Sequence, residues 1–199
     1  MELTLSMPLP VGHTLLGYAV HEGLLLSDEK KRFSWRMILF FVFLANLADF
    51  DFLPGFLIGQ PNLYHRHFWS HSIGGSVAVG FLFAILFYWK GWGRFGRCFV
   101  VFTMVYFSHV ALDFWGVDTL DPVGVPMFWP INSEYIMAPF SLFMSVHKSG
   151  ESGNFIQSLL VPHNFIAAGR EALVVLPMLA IVKIVQVRKQ IIARLVQKN

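Results

Sequence analysis

Residues 99–113 read FVVFTMVYFSHVALD, an apolar run that ends in His109 and Asp113. Because the two residues are four apart on a helix, their side chains lie on one face and can share an ion. The alternative is a hydrogen-bonded His–Asp pair inside a helix bundle. Burying both groups without a strong partner is costly, so the apolar setting favours a bound ion. The stretch therefore predicts a buried helix with a polar site near its end.

The remainder of the chain is also strongly apolar. Hydrophobic residues make up 55% of its 199 residues and charged residues only 14%, and the mean hydropathy is +0.57. A soluble domain of this size could not bury so much apolar surface, and runs of about twenty apolar residues are typical of membrane-spanning helices. Cys98 is the single cysteine of the sequence, which excludes disulfides and cysteine-based zinc sites.

Five apolar segments predict about five transmembrane helices in one domain that covers residues 1–199. The segments are 11–26, 36–53, 71–89, 97–115 and 171–187. The second should stop at Pro54, because a proline disfavours helix at the residue before it. Residues 116–169 contain five prolines and predict an irregular cap of short interfacial helices and loops. The predicted fold class is therefore an all-α polytopic membrane helix bundle.

Basic residues give this bundle an orientation. They concentrate in the first connection, the third connection and the tail: Lys30, Lys31, Arg32 and Arg36, then Lys90, Arg94 and Arg97, then Arg188, Lys189, Arg194 and Lys198. Cytoplasmic loops carry an excess of Lys and Arg, so the N-terminus is predicted outside and the C-terminus inside. Membrane topology accounts for the net charge of +3, and no basic patch interleaved with aromatic residues indicates nucleic-acid binding.

Histidines and aspartates gather on one predicted side of the membrane. Ionisable groups at membrane depth are costly and usually face a cavity, a partner or an ion. Imidazoles and carboxylates together form the ligand set of a divalent transition metal, most often zinc. The predicted ligands come from the ends of four helices: His13, Asp49, Asp51, His65, His71, His109 and Asp113. This arrangement predicts a metal site on the extracytoplasmic side of the inner or plasma membrane.

The two aspartates leave alternatives open. Asp49 and Asp51 are roughly 200° apart on a regular helix, so both cannot point at one ion. One would bind the metal, while the other bridges, binds a second metal or orients an imidazole. Asp51 is the favoured ligand, since it lies nearer the polar end. Simple solvation of a helix end is the alternative.

The segment HRHFWSHS, residues 65–72, is also ambiguous. His67 and His71 are four apart and can share a helix face, while His65 would approach from the loop. The alternative is a pH-sensitive or surface cluster. The fork of Arg66 suits a phosphate group, and the same side chain can instead extend to the lipid headgroups.

In this order the motifs resemble the YdjM-type family of predicted membrane-bound metal-dependent hydrolases. The resemblance covers about residues 12–131 and rests on five motifs: Gly12-His13, Leu47-Ala48-Asp49-Phe50-Asp51, His65-Arg66 with His71-Ser72, Ser108-His109 with Asp113, and Gly124-Val125-Pro126 with Trp129-Pro130. The family is distantly similar to zinc-dependent phospholipases C. That similarity implies ligands at His13, Asp51, one middle histidine, His109 and Asp113.

Two departures from the family pattern reduce the expected number of ions. Phe52 stands where many members have a histidine, and the middle segment is one residue longer, so that His65 and His67 compete for one role. The later residues that complete a three-zinc cluster are not evident in the sequence. One or two zinc ions are therefore expected.

The sequence and the resemblance together imply a membrane-bound metal-dependent hydrolase acting on a phosphoester or ester of a lipid or lipid-linked substrate. Asp49 or a spare histidine such as His67 would act as base, and Arg66 would hold an anionic group. A non-catalytic metal-binding or transport protein is the first alternative, although it requires ligands that continue through the membrane. A haem- or quinone-binding redox subunit is the second, which the carboxylates disfavour. The oligomeric state is not predicted.

Overall fold

Apolar helices form most of the protein in the computed structural model, which describes residues 3–6, 8–24, 35–60, 63–65, 69–119 and 121–196. Two short strands accompany them. In chain order the elements are β1 (Leu3–Ser6), α1 (Pro10–Leu24), α2 (Trp35–Asn46), a 3-10 helix (Leu47–Phe52), α3 (Leu53–Leu57), α4 (Ile73–Trp89), α5 (Phe95–Phe114), β2 (Val146–Ser149), α6 (Ser152–Leu159) and α7 (Pro162–Val196).

Three of the described helical stretches are long and apolar enough to cross a membrane: Trp35–Leu57, Phe95–Phe114 and Pro162–Lys189. The predicted membrane helix bundle is therefore confirmed. The count of five spans stays a prediction. The reason is length: α4 has 17 residues and α1 has 15, whereas a helix needs about 20 residues to cross a hydrocarbon core of about 30 Å.

Small residues allow the helices to pack closely. A Cβ atom on Gly80 of α4 would lie 2.1 Å from Thr103 Oγ1 of α5, and one on Gly17 of α1 would lie 2.4 Å from Ala45 Cβ of α2. Such contacts are typical of helix interfaces in membranes. A core rich in phenylalanine fills the space between α2, α4 and α5, with Phe41, Leu44, Phe102, Val105 and Tyr106 almost fully buried.

The second predicted segment differs from the structure at its end. The regular helix ends at Asn46, and the chain then continues as a 3-10 helix and as α3, so the prediction that it stops at Pro54 is wrong. Pro54 lies in the first turn of α3, where a missing N–H leaves no bond unmade. Leu53 also has helical backbone angles, although a proline at position 54 was expected to disfavour helix there.

The cap at residues 116–169 is more ordered than predicted. Strand β2 lies within it and pairs antiparallel with β1, so that Leu3 is opposite Ser149 and Ser6 is opposite Val146. Helix α6 follows, and α7 already begins at Pro162. The two-stranded sheet attaches the N-terminal residues to the cap. Four of the basic residues used for the orientation, Lys30, Lys31, Arg32 and Lys198, lie outside the described residues.

Candidate metal centre

Side chains from separate helix ends meet at one end of the bundle. His13 lies in the first turn of α1, Asp49 and Asp51 lie in the 3-10 helix, and His65 and His71 lie in the connection before α4. The last turns of α5 contribute the final pair. The seven predicted ligands that the structure places close to one another are His13, Asp49, Asp51, His65, His71, His109 and Asp113. The remaining two predicted site residues, Arg66 and His67, lie outside the described residues.

The pair on α5 has the predicted geometry. Nε2 of His109 lies 3.3 Å from Oδ2 of Asp113, four residues further along the helix. Nδ1 of His109 donates a hydrogen bond to the carbonyl oxygen of Ala45 at 2.8 Å. A carbonyl oxygen can only accept, so the proton of a neutral ring is on Nδ1 and the lone pair is on Nε2. The nitrogen of His109 that carries the lone pair therefore faces the carboxylates.

His71 approaches the same point from the opposite side. Its Nε2 lies 3.2 Å from Asp113 Oδ2 and 3.2 Å from Nε2 of His109. Asp49 Oδ1 completes this group, 3.4 Å from Nε2 of His109 and 3.7 Å from Nε2 of His71. Two atoms that bind one zinc ion at about 2.1 Å lie at most about 4.2 Å apart. These separations therefore fit a shared cation.

His13 and Asp113 carry buried polar atoms without a hydrogen-bond partner among the described residues. Its Nε2 lies 3.4 Å from Asp113 Oδ1, and its ring stacks on that of His109 with centroids 3.8 Å apart. Neither ring nitrogen of His13 has a hydrogen-bond partner among the described residues, and neither has Asp113 Oδ1. Buried polar atoms are rarely left without a partner. A divalent ion between His13, His109 and Asp113 would satisfy Nε2 of His13 and Oδ1 of Asp113.

A second group surrounds Asp51. Nδ1 of His65 donates to Asp51 Oδ1 at 2.8 Å, and the hydroxyl of Ser70 donates to Oδ2 at 2.6 Å. Nδ1 of His71 lies 3.3 Å from the same Oδ2. Burial, assisted by the positive charge of Lys148, lowers the pKa of His65 to about 4. The ring of His65 is therefore neutral at neutral pH, which is the form that binds metals.

Asp49 and Asp51 both lie beside the ring of His71. Both carboxylates reach this one ring, since Asp51 lies beside Nδ1 and Asp49 lies on the side of Nε2. The expectation that they cannot face one site assumed a regular α-helix, but residues 47–52 form a 3-10 helix with a different angular spacing. Asp49 groups with His71 and His109, whereas Asp51 groups with His65 and His71.

Two residues that support the site were not predicted. Glu171 of α7 is fully buried and accepts hydrogen bonds from the backbone N–H groups of Leu9 and Gly12, which fixes the start of α1 beside His13. A glutamate inside the apolar segment 171–187 was the available signal. Ser70 is held by Tyr106, whose hydroxyl donates to the Ser70 carbonyl oxygen at 2.9 Å. Nothing in the sequence marks Ser70 beyond its place beside His71.

Comparison with protein families agrees with the motifs. A family model described as YdjM inner membrane protein matches residues 7–191. The chain belongs to the YdjM family. The match extends well beyond the motif region 12–131 and includes Glu171 of α7. No curated protein and no solved structure matches the chain, so the more distant similarity to zinc-dependent phospholipases C stays a prediction. The family description and the apolar helices both identify this YdjM chain as a membrane protein.

Proposed function

We propose that this protein is a membrane-bound metal-dependent hydrolase that binds one or two divalent ions, zinc being the first candidate. The observation that carries the proposal is the meeting of His13, His71, His109 and Asp113 in the apolar interior, with buried polar atoms left unpartnered. A cation is the partner that this carboxylate and these three imidazoles have in common.

Three overlapping groups of residues could hold the ions. They are His13, His109 and Asp113, then Asp49, His71 and His109, and then Asp51, His65 and His71. When bound, a divalent ion lowers the pKa of a coordinated water and polarises a phosphoryl or carbonyl oxygen. The protein's own contribution is to orient its ligands, because Ser70 and Ala45 fix the rings of His71 and His109 from outside.

Asp49 is the proposed general base. Its side chain is 25% exposed, compared with 14% for Asp51 and 2% for Asp113, so it is the carboxylate that a water molecule reaches most easily. Its Oδ1 atom also lies 3.7 Å from Nε2 of His71 and 3.4 Å from Nε2 of His109. His67 is the second candidate for a base, and Arg66 would hold an anionic group of the substrate; both assignments rest on the sequence alone.

The substrate is proposed to be a phosphoester or ester of a lipid or lipid-linked molecule. The centre lies at the ends of apolar helices rather than in a polar cleft, which favours a substrate that resides in the membrane. The basic residues Lys90, Arg94 and Arg97 lie at the opposite end of the α4–α5 hairpin from the centre. By the positive-inside rule they support an extracytoplasmic position for the metal site.

A metal transport protein is the second candidate, and the polar residues deeper in the bundle argue against it. A transport path would need ligands available below His13. Glu22, two turns further along α1, is instead held by Lys183 and Gln186 of α7. The neighbouring ring of His21 packs against Phe41, with centroids 4.4 Å apart. Glu22 therefore connects α1 to α7, while His21 packs α1 against α2. Among the described residues, neither belongs to a group of His, Asp and Glu side chains that could hold an ion.

The metal content of the purified protein tests the proposal. We expect one or two equivalents of zinc or manganese in the wild-type protein by mass spectrometry, and loss of metal in a His109→Ala/Asp113→Ala variant. A His147→Ala/His163→Ala variant is the matched control, because these two rings stack on each other and belong to none of the described groups that could hold an ion. Zinc-dependent hydrolysis of phosphatidic acid would then be assayed. An absence of bound metal in wild-type protein, even after reconstitution, would overturn the proposal.

A further inference from the structure

A cavity of about 660 Å³ lies beside the metal centre, between the α2–3-10 stretch and α4. Its size falls in the range of about 300–1,000 Å³ that is usual for ligand pockets. Apolar side chains line most of it, whereas Asp51 and Ser70 lie at one end. The apolar part is formed by Phe43, Leu47, Phe50, Val79, Leu82 and Phe83. The cavity is therefore an apolar groove that ends at a polar site.

The length of the groove matches one leaflet of a bilayer. Ser70 lies just before α4, and Leu82 and Phe83 lie ten to eleven residues into that helix. At about 1.5 Å per residue, the two ends of the groove are about 15–18 Å apart. Half of a hydrocarbon core of about 30 Å is about 15 Å. Because α4 packs along the membrane-spanning α5, the groove follows the direction in which lipid chains extend.

The groove is open on the side that faces lipid. Phe43, Phe50 and Leu82 are 41–53% exposed although they belong to apolar helices, so a chain can enter sideways from the bilayer. Near the polar end, Tyr64 and Trp69 are 47% and 53% exposed. Tyrosine and tryptophan are enriched at headgroup depth. An occupant with an apolar tail and a polar head would place the head between these aromatic residues and Asp51.

We propose that this groove binds one hydrocarbon chain of a membrane lipid and thereby holds the ester or phosphoester bond of that lipid next to Asp51 at the metal centre. The inference rests on the proposed function, since it takes the centre as the reacting site. It narrows the substrate to a long-chain lipid of the leaflet on the side of the centre. A soluble phosphoester would leave the apolar groove unused.

Photo-crosslinking tests the groove without requiring catalysis. The probe is a long-chain phosphatidic acid with a diazirine in its acyl chain, applied to the His109→Ala/Asp113→Ala protein in nanodiscs. We expect labelled peptides from the groove segments 43–51 and 79–83. A Leu82→Trp substitution should reduce this labelling about tenfold, equivalent to about 1.4 kcal/mol of lost binding. Leu86→Trp is the matched control, because Leu86 lies one turn further along α4, is 41% exposed and does not line the groove.

Chain-length dependence of the wild-type enzyme provides a second test. We expect kcat/KM for dipalmitoyl phosphatidic acid to exceed that for the dihexanoyl lipid, with the ratio falling about tenfold in Leu82→Trp and unchanged in Leu86→Trp. Equal labelling of both tryptophan variants, or labelling spread evenly over the lipid-facing helices, would overturn the proposal that the groove binds a lipid chain. Specific labelling without any hydrolysis would support the groove and count against the proposed enzyme. Hydrolysis without chain-length preference would support the proposed enzyme and count against the groove.

Discussion

His71 connects the two halves of the metal centre through one imidazole ring. Its Nδ1 lies 3.0 Å from the Ser70 hydroxyl and 3.3 Å from Asp51, while its Nε2 faces Asp113 and His109. A proton on Nδ1 leaves the lone pair of Nε2 for an ion. Carboxylates that orient histidine ligands in this way also raise their basicity. Asp51 and Ser70 therefore influence the centre even where they do not bind the ion themselves.

Removal of the Ser70 hydroxyl should weaken metal binding. In Ser70→Ala, Asp51 loses a 2.6 Å hydrogen bond and the ring of His71 loses a neighbour that fixes its orientation. We expect metal affinity to fall about 10–100-fold, as is common when the partner of a ligand is removed. The measurement is competition for zinc with a chelator of known affinity.

Ser76→Ala is the control for this substitution. Ser76 is also buried, and its hydroxyl donates to the Ser72 carbonyl oxygen, yet it does not contact a predicted ligand. Its removal should leave zinc affinity unchanged. If both variants lost affinity equally, the effect of Ser70 would be one of general stability rather than of orientation.

At the level of single residues, the sequence indicated which side chains meet, but apart from His109 and Asp113 it did not indicate how they pair. His13, His109 and Asp113 were recognisable because ionisable groups in apolar surroundings need a partner. The contact of Asp49 and Asp51 with a single ring depends on a 3-10 helix that a periodicity argument does not indicate. The hydrogen bonds that Ser70 donates and Glu171 accepts depend on tertiary packing, for which residue type alone carries little information.

Among the helices, α7 holds the start of α1 through one glutamate, Glu171. The Glu171 carboxylate accepts from two backbone N–H groups at the start of α1, which have no partner within their own helix. A negative charge is also favourable at a helix N-terminus. Since His13 lies directly after Gly12, this contact fixes the first-turn backbone that carries a predicted metal ligand.

Loss of this contact should affect both stability and metal binding. We expect Glu171→Ala to lower the free energy of unfolding by about 1–3 kcal/mol, because buried donors are left unsatisfied. It should also weaken zinc binding through displacement of His13. Glu171→Gln keeps an acceptor but not the charge, so an intermediate effect is expected. Thermal unfolding in detergent, with and without zinc, measures both quantities.

Glu134→Ala is the reference for the Glu171 variants. Glu134 is exposed and bonds only to neighbouring Asn132 in the described contacts. Its removal should therefore change neither the free energy of unfolding nor the zinc affinity measurably. A Glu171→Ala protein as stable as wild type would show that α1 is positioned by its apolar contacts alone.

The helices differ in how well the sequence predicted them. The apolar run 71–89 lies within two residues of α4 at its start, and 97–115 corresponds closely to α5, because an uninterrupted apolar run defines both ends. The start of α7 was missed by nine residues, since Pro162 and the polar residues after it interrupt the hydropathy pattern. Strands β1 and β2 are more than 130 residues apart in sequence, and a pairing over such a distance leaves no local signal.

The molecule as a whole is asymmetric across the membrane, and this asymmetry leads to a prediction of topology. Residues 127 and 129 accept hydrogen bonds from the start of α4, so the cap and the metal centre lie at one end of the α4–α5 hairpin. The turn with Lys90 and Arg94 lies at the other end. Retention of basic loops in the cytoplasm then predicts an outward-facing centre.

Labelling of introduced cysteines tests this orientation. In a Cys98→Ser background, a membrane-impermeant maleimide should label Ser133→Cys in intact cells, because Ser133 is exposed in the cap. Lys90→Cys, exposed in the opposite turn, should react only after the membrane has been opened. Both sites are exposed, but they lie on opposite predicted sides of the membrane, so each serves as the control for the other.

The reverse labelling pattern would contradict the positive-inside argument and place the centre in the cytoplasm. That outcome would leave the ligand geometry intact, since the distances among His13, His71, His109 and Asp113 do not depend on orientation. It would, however, change the lipid that can reach the groove. A centre that faces outward receives its substrate from the outer leaflet of this membrane, whereas one that faces inward receives it from the cytoplasmic leaflet. Topology therefore determines which lipids should be screened first.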